Sequence, residues 1–418
     1  MKHRKPTIGI VSLGCPRNLV DSESILGRLQ HKGYRISDID KADVALVNTC
    51  AFIQDSKQES IDAILDVVAL KKEGKLKKVI VCGCLSQRYK GQLLKEIPEI
   101  DAFVGTLSLN HTSCRFPLTP EYYAYLKICE GCVNNCSYCV IPRLKRKFES
   151  MGMDELLQKA AELDREKISE INIIGQDITG YGMDLYGQTR LEVLLRKILA
   201  VVKHAGWIRL LYLYPSRVND ELLSIIRDEP RVCKYIDLPI QHISDRILRK
   251  MNRKTTKKQI LSLIGKIRRN VPGVALRTSL ITGFPSETDG EFKEMLEFME
   301  DIRFERLGAF IYSREEGTKA YSLPGQIPRK IKVERFNRIM AVQQAISAEV
   351  NKGLTGKKIT ALVEEKGEGY YLGRSQYDAP EVDGQVYIHS GKELKPGDFV
   401  PVEITDTLEY DLVGRVVQ

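Results

Sequence analysis

KICEGCVNNCSYCVIPRLKRK, residues 127–147, sets Cys132, Cys136 and Cys139 at C-x3-C-x2-C spacing, with Tyr138 before the last thiol and two asparagines in the first gap. Three thiolates on one short loop are iron–sulfur geometry more than zinc geometry, because a closed zinc site takes four ligands and usually brings them as two separated C-x2-C pairs. A four-iron cubane on three thiolates keeps one iron open, able to chelate a small molecule instead of only passing electrons. The alternative is a buried cysteine cluster without metal.

Toward the amino terminus, residues 7–120 alternate strand and helix. Strand candidates are Ile8–Leu13, Val44–Asn48, Lys78–Val81 and Ala102–Val104, separated by helical segments such as Ser22–Lys32 and Glu59–Lys72. That alternation argues for a parallel sheet with flanking helices, in which ligands gather beyond the carboxyl ends of the strands. Cys15 in SLGCPRN, Cys50 in VNTCAF and Cys84 in VCGCLSQ fall at three such ends. They read as a second three-cysteine cluster, again with one iron open. The plainer reading is cysteines packed as small hydrophobes; against it, each sits beside Gly, Asn or Thr and not inside an apolar run. Cys82 would point to the other face of its strand, and Cys114, Cys129 and Cys233 lack partners in sequence and read as structural.

Toward the carboxyl terminus, residues 121–350 repeat strand, loop and helix, with a strand near Tyr123–Ile128 and strand ends near Ile173–Ile174, Leu210–Leu213, Tyr235–Leu238, Leu276–Leu280 and Leu307–Phe310. The loops that follow are rich in Gly, Ser, Gln and Asp, and active sites of parallel barrels lie on that face. His242 has no visible partner in sequence and is assigned no role. After the helix Arg329–Val350, residues 353–418 change to five short alternating runs between Gly, Pro and Asp turns, the pattern of a small closed β-barrel.

The chain has 418 residues, room for three domains at roughly 150 residues each. No apolar run approaches the roughly 20 residues of a membrane span. MKHRKPTIGIVSLGC has a basic head and a short apolar part, but Gly9 and Ser12 make it a first strand from Thr7 to Leu13 and not an export signal. Ten cysteines without such a signal imply a reducing, cytoplasmic location where thiolates serve metals or chemistry.

The Cys132–Cys139 loop resembles the signature of the radical S-adenosylmethionine enzymes, and SLGCPRNLVDSE, VNTCAFIQDS and CGCLSQRY together resemble the amino-terminal domain of the methylthiotransferases. YYLGRSQYDAPEVDGQVYI resembles the TRAM module that ends them. The resemblance implies a flavodoxin-like parallel domain over 1–120, a partial (β/α)6 radical S-adenosylmethionine barrel over 121–350 and an oligonucleotide-binding-like TRAM barrel over 353–418. It implies two [4Fe-4S] clusters, one on Cys132, Cys136 and Cys139 and an auxiliary one on Cys15, Cys50 and Cys84, with S-adenosylmethionine as both radical source and methyl donor. By the same analogy Tyr138 belongs to the cofactor site, Gly175, Gln176 and Asp177 lie near the methionine moiety, and Ser216, Gln241, Thr282 and Gly283 line the rest of it. The chain departs from the family pattern at Lys145, where an arginine is usual, and at Met151, which removes a charge.

One family branch modifies an adenosine in transfer RNA, and another the β-carbon of an aspartate in ribosomal protein S12. Residues 353–418 hold seven Lys and Arg against twelve Asp and Glu, a net of −5, while residues 1–352 carry +14. An acidic barrel repels phosphates and attracts a basic protein, which favours the S12 branch. DLPIQH-x-S-D-x-IL and YSREEGT-x-A resemble that branch as well. The basic groups Arg143–Lys147 and Lys250–Lys258 are candidates for a ribosomal RNA contact, and an external electron donor is implied. The transfer-RNA branch is the alternative. A reading of another class is a non-catalytic electron carrier or RNA-binding protein; a carrier normally ligates every iron and needs no six-unit barrel.

Overall fold

The computed structural model describes residues 5–107, 109, 114–145 and 147–417. Arg146, within the basic group Arg143–Lys147, lies outside the described residues. Five strands, β1 (Thr7–Ser12), β2 (Arg35–Ile36), β3 (Val44–Thr49), β4 (Lys78–Gly83) and β5 (Ala102–Phe103), form one parallel sheet in the order β2-β1-β3-β4-β5. β3 is central and buried on both faces: Val44 and Leu46 pack with Ile8 and Leu26, while Ala45 and Val47 pack with Ile64, Val67 and Val68 of the helix Gln54–Lys72. A strand covered on both sides reads as a continuous apolar run, as VALV does here. The order reverses between β1 and β3, where such sheets open a crevice at the carboxyl ends of the strands.

The central region contributes β6 (Tyr123–Lys127), a two-stranded antiparallel ribbon of β7 (Cys129–Glu130) and β8 (Glu149–Ser150), then β9 (Glu170–Ile174), β10 (Trp207–Leu210), β11 (Tyr235–Asp237), β12 (Ala275–Thr282) and β13 (Arg306–Ile311). Two parallel sheets, β6-β9-β10 and β11-β12-β13, meet between β10 and β11 through a bridge of Ile208 with Val232 and a bond from the Leu213 N–H to the Asp237 carbonyl, 3.0 Å. The result is a six-strand arc in chain order, and among the described residues no pairing joins β13 back to β6. Helices cover its outside, and Leu194, Ile198, Leu222, Ile226, Ile260, Ile264 and Met295 fill the layer between helices and strands.

The last five strands, β14 (Lys358–Lys366), β15 (Tyr371–Ser375), β16 (Val386–His389), β17 (Phe399–Thr407) and β18 (Leu412–Val416), close into a barrel in the order β14-β15-β16-β18-β17. This barrel stoppers the amino-terminal end of the central arc. Tyr123, Glu170 and Trp207 lie side by side at the starts of β6, β9 and β10. The fully buried Glu170 accepts from Arg209 Nε at 2.7 Å and from Arg374 Nη2 of β15. Arg306 pairs with Asp378, Arg277 with Asp383 at 3.3 Å, the Tyr235 hydroxyl donates to Asp383 at 2.6 Å, and Phe399 packs edge-on against Trp207 at 4.9 Å.

This packing reduces the charge excess counted from sequence without changing its sign. Glu364, Asp378 and Asp383 are turned inward together with Arg374, so the outer face keeps nine carboxylates and six cations. Part of the acidic excess of the small barrel thus neutralises arginines at the base of the arc, and a net of −3 is left facing outward.

Candidate active site between two cysteine triads

The cysteine loop runs from β7 to β8 and is held by its neighbours' backbones. Ser137 donates through its N–H to the Met251 carbonyl at 2.9 Å and through its hydroxyl to the Lys250 carbonyl at 2.7 Å, and Asn252, at φ +55, donates its side-chain amide to the Asn135 carbonyl at 2.6 Å. The Asn134 N–H points to Cys132 Sγ at 3.4 Å, and Arg253 Nη1 lies 3.8 Å from Cys136 Sγ while its guanidinium stacks on Tyr214 at 4.2 Å. Donors on sulfur favour the thiolate, the form that binds metal. Burial pushes the Cys132 thiol up to about 11 and the Cys139 thiol up to about 12. Tyr138 packs among Ile247, Met251, Ile281, Phe284 and Tyr312, and burial followed by the adjacent Cys136 thiol drives its phenol well above the ordinary range.

Cys15, Cys50 and Cys84 lie just past β1, β3 and β4. Cys15 caps the helix Pro16–His31 and Cys84 opens the helix Cys84–Glu96, so two of the three thiols sit at helix starts, where negative charge is favoured. Gly14, at φ +87, has no room for a side chain, because a Cβ would fall 2.6 Å from the Cβ and 2.9 Å from the Sγ of Cys50. Gly83, at φ +90, is pressed against Asn48 Oδ1 in the same way, at 2.4 Å. Burial raises the Cys50 thiol and pushes Cys84 up to about 12, with Lys145 opposing, and Cys15 and Cys50 both act on Cys84. Burial also raises Cys15, but the Arg17 guanidinium and the backbone N–H groups of Asn18 and Arg17 outweigh it and leave this thiol below its ordinary range.

Among the described residues no three His, Cys, Asp or Glu side chains form a group that could hold a single metal ion. Cubane clusters make a different demand, since each thiolate binds its own iron and the thiols stand further apart than around one ion. Two sets of three thiols, with N–H donors on sulfur and a glycine cradle at Cys50, fit such groups.

Asp177, beyond β9, accepts from Asn134 Nδ2 at 2.6 Å, from the Thr179 N–H at 3.1 Å and from Arg217, joining the cysteine loop to the loops after β9 and β10. Gln176 donates to Glu130 at 2.5 Å. Gly175 covers Cys129, whose Sγ would be 2.5 Å from an added Cβ. Ser216 is exposed on the turn Pro215–Arg217. Gln241, at φ +74, pairs by its backbone with Ser279 and Ile281. Thr282 is buried, and its hydroxyl has no hydrogen-bond partner among the described residues. Gly283 faces the Lys332 stem, 2.4 Å from an added Cβ, and donates its N–H to Glu287 at 3.0 Å. His242 accepts at Nδ1 from the Ser244 N–H at 3.0 Å, while its buried Nε2 lies 3.4 Å from Glu287, itself paired with Arg335, without forming a hydrogen bond among the described residues. Cys82, Cys129 and Cys233 are buried in apolar clusters or strand interiors.

The two departures from the family pattern resolve differently. Lys145 is buried in a four-charge group: its Nζ is 3.4 Å from Asp21 and 3.2 Å from Glu130, and Lys127 pairs with the same two carboxylates. Met151 is a core residue whose carbonyl accepts from the Tyr181 hydroxyl at 3.0 Å. Asp21 belongs to the amino-terminal helix and the other three to the central region, so the group links the two triads' supports. On the far side, Glu315 accepts from Arg88 at 2.7 Å and Lys57 at 3.0 Å. In the Lys250–Lys258 group, Lys250 donates to Ser286 at 2.6 Å, Arg253 turns inward and Lys257 pairs with Glu294 at 2.7 Å.

Residues 126–299 match the Radical SAM superfamily, residues 355–417 the TRAM domain, and residues 7–105 the uncharacterized protein family UPF0004. Among solved structures, the radical S-adenosylmethionine methyltransferase TsrM from Kitasatospora setae, with cobalamin and a [4Fe-4S] cluster bound, aligns at TM-score 0.54 and 12% identity over 88% of this chain and 80% of its own. The cobalamin-dependent radical enzyme OxsB aligns at 0.51 and 14% identity, over 81% and 56%. These likenesses concern the fold. Matched region and architecture together define a radical S-adenosylmethionine enzyme, a class that works with an iron–sulfur cluster and S-adenosylmethionine, here ending in a TRAM domain.

Two relatives named ribosomal protein uS12 methylthiotransferase RimO extend the comparison over the whole chain. The one from Geotalea uraniireducens is 46% identical and covers 99% of each chain, and the one from Clostridioides difficile is 46% identical and covers 98% of each. The chain belongs to the ribosomal protein uS12 methylthiotransferase family.

Proposed function

We propose that the protein attaches a methylthio group to the β-carbon of an aspartate in ribosomal protein uS12, using two [4Fe-4S] clusters. The relatives' substrate supports the choice of protein over transfer RNA. The observation that carries the two-cluster reading is the delivery of Cys15, Cys50 and Cys84 by three strand ends to the side of the molecule that meets the Cys132–Cys139 loop. Domain limits near residues 120 and 350 go with it. Clusters bound there supply one-electron chemistry and a sulfur for transfer. The chain's own residues do the rest. Asp177, held by Thr179 and Arg217, orients the loop that faces Cys132 through Asn134. Tyr138 and its apolar neighbours keep water from the Cys136–Cys139 side. The outward face of the small barrel remains mildly acidic, which suits a basic substrate protein.

Iron counting tests this reading. Replacing Cys132, Cys136 and Cys139 by alanine, or Cys15, Cys50 and Cys84, removes about half of the bound iron in each case. Retention of all iron by a Cys15→Ala, Cys50→Ala, Cys84→Ala chain refutes the auxiliary cluster. A methylthio mass increment on transfer RNA but not on uS12 would refute the choice of substrate.

A further inference from the structure

Arg17 follows Cys15 by two residues, in the first turn of the helix Pro16–His31, yet its side chain leaves its own domain. Nη1 donates to the Gly175 carbonyl at 2.9 Å, and the guanidinium lies over the Tyr212 ring at 4.5 Å. Gly175 belongs to the loop after β9 and Tyr212 to the loop after β10, so one side chain ties the auxiliary triad's helix to two loops on the carboxyl-terminal face of the arc.

Tyr212 is no ordinary platform. Its φ is +66, a region a bulky side chain rarely adopts. It is held there by its N–H on Asp237 Oδ2 at 2.8 Å and by its carbonyl, which accepts from the Ile178 N–H at 3.2 Å. Strain of this kind persists only where the surroundings over-determine it, and it clusters at functional sites. Arg17 also carries its charge two residues from Cys15, in the first turn of the helix that this thiol caps. A lysine could supply the charge but not the flat stack on tyrosine together with the bond to Gly175.

We propose that Arg17 is a positioning residue that fixes the two cysteine triads relative to one another, coupling radical formation at one triad to methylthio transfer at the other. This rests on the two-cluster reading above. A displacement of about 1 Å between reacting groups costs on the order of 100-fold in rate, so a loosened tie separates the two half-reactions before it stops either.

The test uses the full chain, reconstituted anaerobically, with uS12 as substrate. Arg17→Gln keeps the iron of both clusters, lowers the midpoint potential of the auxiliary cluster because a nearby positive charge is gone, and raises the ratio of 5′-deoxyadenosine to methylthiolated product by about 10- to 100-fold. Arg17→Lys keeps the potentials near wild type but stays uncoupled. Should Arg17→Gln fail to fold or to hold iron, Tyr212→Leu removes the platform away from Cys15 and gives the same rise in ratio. A wild-type ratio with wild-type potentials in Arg17→Gln, or a wild-type ratio in Tyr212→Leu when the first variant does not fold, overturns the inference. Failure of the underlying reading shows separately, as one cluster's worth of iron in the unmutated protein.

Discussion

Glu170→Gln tests whether the small barrel is locked to the base of the central arc by charge. Glu170 has no exposed surface, and its carboxylate stands between Arg209, also without exposure, and Arg374. Arg374 keeps a second carboxylate, Glu364 at 2.7 Å, whereas Arg209 keeps, among the described residues, backbone carbonyls such as that of Gln376 at 2.8 Å and the faces of Tyr235 and Trp207, but no second carboxylate. Removing the Glu170 charge therefore strands one buried guanidinium, and breaking a buried pair this way costs about 3–5 kcal/mol. Glutamine retains hydrogen bonds and should fall near the lower end. The chain's single tryptophan, Trp207, lies in this interface against Phe399, so its fluorescence during denaturant unfolding reports the contact directly, with far-UV circular dichroism following the whole chain. Adding Arg209→Met to Glu170→Leu should recover much of the loss, because an apolar pair of similar volume replaces the stranded charge. Burial raises the Glu170 carboxyl, but the two guanidiniums outweigh this and leave it below the ordinary carboxylate range. Its contribution is therefore present above about pH 4.3 and lost as pH falls through the lowered folded value, so the gap between wild type and Glu170→Gln narrows in acid. A destabilisation below about 1 kcal/mol, the size expected of an exposed pair, refutes the buried lock.

Gly14→Ala forces a side chain onto Cys50 in a backbone region unsuited to alanine, and the expected result is loss of the auxiliary iron with retention of the Cys132-loop iron, read by iron counting and electron paramagnetic resonance. Lys127→Met leaves Asp21 and Glu130 with Lys145 alone and lowers stability by about 3–5 kcal/mol in denaturant titration; an effect under about 1 kcal/mol would show that Lys145 suffices. Glu291 caps its helix through Thr288 and pairs with Arg246, and although burial raises its carboxyl these partners hold it at about 2. The stability it adds over Glu291→Gln is full above about pH 4.5 and disappears toward pH 2; a pH-independent difference would contradict the assignment.

The strand pattern was legible because apolar runs, turn residues and strand-end cysteines report directly on local structure. Six central strands and five terminal ones appear close to where their alternation places them, while β2, only two residues long, leaves no periodicity to read. The helix starts were read late: Pro16 and Gln54 begin helices expected to start near Ser22 and Glu59, which hid the position of Cys15 as a cap. Residues that act across domains left no local mark. Arg17 and Asp21 fall ahead of the expected helix start, Lys127 looks like an ordinary strand position, and Tyr212 lies in a loop with no glycine to announce its left-handed backbone. The charge count overstated the outward excess for the same reason, since composition cannot distinguish a carboxylate facing water from Asp378 facing Arg306.

The Asp21–Lys127–Glu130–Lys145 group has a consequence for how such a chain can evolve. Its four charges balance only when the amino-terminal and central segments come together, and either segment alone carries an unmatched part of the set. The two segments are therefore not freely interchangeable modules. A donor segment lacking an acid at position 21 would bring an apolar or cationic surface against two buried ammonium groups, so a recombinant lineage would survive only where both sides changed together.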